Sequence, residues 1–112
     1  MQPLHPEAMT WSVLLAHWMD FARASLAAAG HEDGAAWQAS VVPIITLQAV
    51  TFALADLESL PLSDHPFAID RAGVLVREAS AALEGTWPEG RPAGVVEIVD
   101  DARAALAAIR GG

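Results

Sequence analysis

The sequence predicts an all-α protein, a four-helix up-and-down bundle built around a long apolar second helix. Three observations point there. Between Asp33 and Asp56 lie 22 residues without a formal charge, a run longer than a strand and rich in alanine and leucine. Three other segments each carry one apolar stripe at helical spacing. Short turns containing Gly or Pro separate the four, which favours antiparallel neighbours. A tail over residues 1–9, where Pro3 and Pro6 oppose regular structure, precedes a single domain over residues 10–112.

The first helix has Thr10 as its N-cap, with Met9 and Leu14 placed as a hydrophobic staple. It runs to about Ala29, and Gly30 supplies the stop. Trp11, Leu14, Leu15, Trp18, Ala22, Ser25, Leu26 and Ala29 recur at helical spacing and define its buried face. Phe21 flanks that face, while Asp20 and Arg23 lie away from it.

The second helix extends from an Asp33 cap to about Ser59. Its β-branched cluster, Val41, Val42, Ile44 and Ile45, is a contrary signal. Pro43 weighs against an interior strand, and it costs a helix one hydrogen bond, about 3 kcal/mol. Because the apolar spacing persists on both sides, the helix is expected to continue through Pro43 with a kink. About 20 apolar residues can cross a bilayer. Here Gln38, Ser40, Thr46, Gln48 and Thr51 interrupt the run, and both flanks are acidic with no basic anchor. No membrane span is expected.

The third helix starts near Asp64 or near Asp70 and ends at Glu84. Ile69, Ala72, Leu75, Val76, Ala79, Ala82 and Leu83 form its stripe. Trp87, in the turn-rich loop that follows, caps the end of the core. The fourth helix runs from about Pro92 to Arg110, with Val95, Ile98, Val99, Ala102, Leu106 and Ile109 as its stripe. Arg103 and Arg110 sit toward its C-terminal end, where cations favour the dipole. The second helix is apolar on every side and should be the central one.

Composition narrows the function classes. The 112 residues carry a net charge of −8, which makes nucleic acid an unfavourable partner. Cysteine, lysine, asparagine and tyrosine are all absent, and arginine supplies all six cations. Thiolate chemistry, Schiff bases and a P-loop lysine are thereby excluded. No secretion signal is legible at the start of the chain, so a cytoplasmic protein is expected. The alanine-rich, lysine-free usage points to a GC-rich bacterial genome. The hydrophobic fraction, 54%, exceeds the usual range, so some apolar area should face another chain or a ligand.

No catalytic constellation emerges. His5, His17, His31 and His65 are scattered, with no pair at the spacing of a helical metal site. No metal and no cofactor is expected. His17 and Asp20 are one turn apart and read as a solvated face, as do Asp100 and Asp101. No triad and no glycine-rich phosphate loop is present. Gln48 falls by helical angle among Trp37, Val41, Ile44, Phe52 and Ala55. Buried there, its carboxamide would need partners and would fix the register of a helix contact or orient a ligand. Arg71 and Arg77 could join Arg91 in an anion site, although ion pairs with Asp70, Glu78 and Glu84 are the preferred reading.

These readings favour a non-catalytic helical module that acts through self-association and protein–protein interaction. The alternative is a small-molecule-binding bundle, possibly enzymatic, with a pocket between Gln48 and an arginine of the third helix. A homodimer is expected, with Val42, Leu47, Val50 and Leu54 of the second helix in its interface. Leaving such side chains in water would forgo roughly 1.5–3 kcal/mol each, and a two-fold contact is the commonest way to cover them.

Overall fold

A computed structural model describes residues 10–28, 35–57, 65–85, 87 and 93–111. They form four helices: α1 (Trp11–Ala28), α2 (Ala35–Asp56), α3 (His65–Glu84) and α4 (Ala93–Gly111). The protein is an all-α four-helix bundle. The expected tail, the Gly30, Asp33 and Pro92 boundary signals, and Arg91 lie outside the described residues.

At the start of α1 the amide of Leu14 donates to the carbonyl of Thr10 at 3.1 Å. Thr10 itself is not helical, which is the position of a residue that caps a helix. α3 begins at His65, so the earlier of its two expected starts holds. α2 runs unbroken through Pro43. Its two threonines bond within the helix: Thr46 Oγ1 donates to the Val42 carbonyl and Thr51 Oγ1 to the Leu47 carbonyl, each at 2.8 Å. Such bonds to the carbonyl four residues back let threonine sit in an apolar helix without stranding a polar atom.

α2 packs against all three other helices, α3 packs against α4, and α1 touches α3 only slightly and α4 not at all. The shortest dimension of the molecule is 16 Å, the thickness of two helix layers spaced about 8–10 Å apart. One core joins Trp11 and Leu14 of α1, Ile44, Leu47, Val50 and Leu54 of α2, Ala72, Val76 and Leu83 of α3, and Val95, Val99 and Leu106 of α4. Trp87 packs against this core, as expected. Two smaller adjustments concern the stripes. Ser25 is exposed on α1, and on α3 the seam is filled by Ala68 and Ser80 while Ala82 faces outward.

The expected interface residues of α2 need correction. Leu47 and Val50 are fully buried and Leu54 nearly so, all within the chain itself. Only Val42, 67% exposed, is open. The expectation supposed that neighbours would cover part of α2 and leave one apolar sector uncovered. Three neighbours, instead, wrap the sector that carries Leu47, Val50 and Leu54. The side left open is the one opposite, where Gln48 and Val41 are half-buried and Phe52 and Ala55 are exposed. Gln48 is therefore not the buried carboxamide anticipated.

Candidate functional site

The open side of α2 meets α1 in an aromatic cluster. Trp18 and Phe21 are three residues apart on α1 and so share a face; Phe52 projects toward them from α2. The Trp18 and Phe52 rings stack with centroids 4.8 Å apart. Phe21 stands edge-on to both, at 5.5 Å from Trp18 and 5.9 Å from Phe52. His17 adds an edge contact to Trp18 at 5.0 Å. Trp18 is half-buried and anchored: its Nε1 donates to Asp56 Oδ2 at 2.7 Å. Phe21 remains 51% exposed and Phe52 41% exposed. Two large rings are thus held in fixed positions with much of their surface in water, an arrangement that favours burial against a partner.

Phe52 also borders a shallow groove of about 180 Å³ between α2 and α4, lined with Gln48, Thr51, Ile98 and Asp101. Thr51 commits its hydroxyl proton to its own helix. The polar groups the groove offers are the Gln48 carboxamide and the Asp101 carboxylate. Gln48 can donate and accept, and Asp101 only accepts when ionised. Among the described residues its lining includes no nucleophile paired with a base.

Among the described residues, Gln48 and the arginines of α3 line no common cavity. Arg71 is exposed on α3, and Arg77 opens on a separate cleft between α3 and α4 that Gln48 does not line. The reason is rotational: Gln48 faces the Ile98 and Asp101 side of α4, whereas Arg77 faces the Arg103 and Arg110 side. The preferred ion pairs of Arg71 and Arg77 are also missing. Among the described residues the one ion pair is Arg23 with Asp20, 3.3 Å apart and solvent-exposed. That pair occupies the carboxylate that might have joined His17, which instead contacts Trp18. Val42 borders a second shallow groove with Pro43, Thr46, Leu75 and Glu78.

Two groupings escaped the reading of the sequence. The aromatic cluster was partly signalled, because Trp18 and Phe21 share a face of one helix and Phe52 stands on the sector judged to surround Gln48. The cleft arginines were signalled too, by the seven-residue spacing of Arg103 and Arg110, which puts both on one side of α4. Which helices would meet was not in either pattern. Comparison with protein-family models, with curated proteins and with solved structures found no match for this chain.

Proposed function

We propose that this chain is a non-catalytic helical module that works by self-association, and that Phe21 and Phe52 form the centre of the contact. The observation that carries the reading is the partly exposed stack of Trp18, Phe21 and Phe52. Its rim supports a second copy as the occupant. The Gln48 carboxamide, donor and acceptor in one group, can pair with its own mate and fix the register of the contact.

The reading includes a cytoplasmic bacterial setting, supported by composition alone. Among the described residues no helix is long and apolar enough to cross a membrane. A further protein partner would dock on the assembled dimer.

Sedimentation equilibrium at micromolar concentration tests the proposal. The expected result is a species of twice the 11.8 kDa chain mass, shifted to monomer by Phe21→Ser together with Phe52→Ser, with helical circular dichroism retained. A wild-type chain that sediments as a monomer across that range overturns it.

A further inference from the structure

Three of the six arginines of this acidic chain, Arg77, Arg103 and Arg110, line one cleft of about 390 Å³ between α3 and α4. Among the described residues none of the three has a carboxylate within ion-pair distance. Glu84 is the single carboxylate on the lining, so the cleft is positive within a molecule whose net charge is −8. Uncompensated guanidinium groups repel one another, and gathering three of them favours any anion that enters between them.

A second observation points the same way. Ser80 lines the cleft and is only 4% exposed, and its hydroxyl has no hydrogen-bond partner among the described residues. A buried hydroxyl normally finds a partner. The Ser80 oxygen lies just beneath the cleft wall, closed to solvent, so a ligand reaches it only by displacing that wall slightly. The backbone is shaped to suit as well. The Arg110 guanidinium lies directly over Gly73, in space that a Cβ would occupy. Glycine at that position lets the arginine lie along the cleft instead of pointing into water.

We infer that this cleft binds the phosphoryl group of a small phosphate or phosphomonoester. Guanidinium forks match the geometry of phosphate oxygens and can bind them two at a time. A phosphomonoester carries about two negative charges near neutral pH and has three terminal oxygens, enough acceptors for three arginines. A single carboxylate uses fewer of these donors and half the charge. The cleft lies on the other side of α4 from the groove at Gln48, so occupancy does not depend on the aromatic contact.

Titration calorimetry and amide chemical shifts, in low-salt buffer free of phosphate, test the inference. Inorganic phosphate and methyl phosphate are the probes, and succinate is the comparison. The expected result is saturable binding of one phosphoryl group per chain, weakened about tenfold or more by Arg77→Gln with Arg103→Gln. Arg23→Gln, outside the cleft, should leave it unchanged. Tighter methyl phosphate identifies an ester as the ligand, and tighter inorganic phosphate identifies the free ion; both support the site. Absence of saturable binding, equal binding by the double variant, or succinate bound as tightly as phosphate overturns it. The double variant removes only exposed side chains, and its circular dichroism confirms that a loss of binding is not a loss of fold.

Discussion

The indole of Trp18 and the carboxylate of Asp56 are joined by a 2.7 Å hydrogen bond that spans 38 residues of chain. It fixes the middle of α1 to the last turn of α2 and sets the angle at which Phe52 meets the Trp18 ring.

Trp18→Phe keeps an aromatic ring and removes the donor. A hydrogen bond to a charged acceptor is worth about 1.5–3 kcal/mol, and partial exposure puts this one at the low end. Urea unfolding should show a loss of about 1–2 kcal/mol. In a double-mutant cycle with Asp56→Ala, the two losses should sum to more than the loss in the double variant. Strict additivity would show that the bond contributes nothing.

Leu47→Ala and Val42→Ala separate the enclosed side of α2 from its open end. Leu47 is fully buried, so its truncation should cost about 2–5 kcal/mol. Val42, mostly exposed, should change stability by no more than about 0.5 kcal/mol. Denaturation midpoints measured at one protein concentration decide this; a large loss at Val42 would mean that another surface covers it.

Gly73→Ala sets two effects against each other. Alanine is favoured over glycine inside a helix by about 1 kcal/mol. The added Cβ meets only the far end of the Arg110 side chain, which can swing away at little cost. The variant should therefore be more stable by up to about 1 kcal/mol while phosphate binding weakens. Gly94→Ala, with open space around its Cβ position, should stabilise without touching the cleft. Thermal melts paired with phosphate titrations read both effects.

Ser80→Ala removes a buried hydroxyl that has no partner among the described residues. Losing an unsatisfied polar group should leave stability unchanged or raise it, by up to about 1 kcal/mol. A loss larger than 1 kcal/mol in chemical denaturation would reveal a bond the hydroxyl makes within the fold.

Much of this architecture was legible because it depends on local pattern. The stripes of α3 and α4 follow from spacing alone, and α2 is helical through Pro43 because its apolar content outlasts the proline. The side of α2 that would be open was not legible. A helix apolar all round has no preferred face, and Leu47 and Phe52 look alike in such a pattern. Only the positions of three neighbours distinguish them. For the same reason the company of Arg77 across α4, Arg103 and Arg110, was not legible: helical spacing groups residues on one helix and is silent about which side of another helix they will meet.

α1 rests on α2, grazes α3 and, among the described residues, misses α4. Releasing α1 breaks essentially one seam, and α2, α3 and α4 keep their mutual contacts. Taking out any of those three breaks at least two. Amide hydrogens of α1 should thus exchange with solvent through a partial opening of lower free energy than global unfolding, while those at Leu47 and Val50 wait for the whole bundle to come apart. The Trp18–Asp56 bond is one fastening of that seam, and Trp18→Phe should speed exchange in α1 more than at Leu47 or Val50.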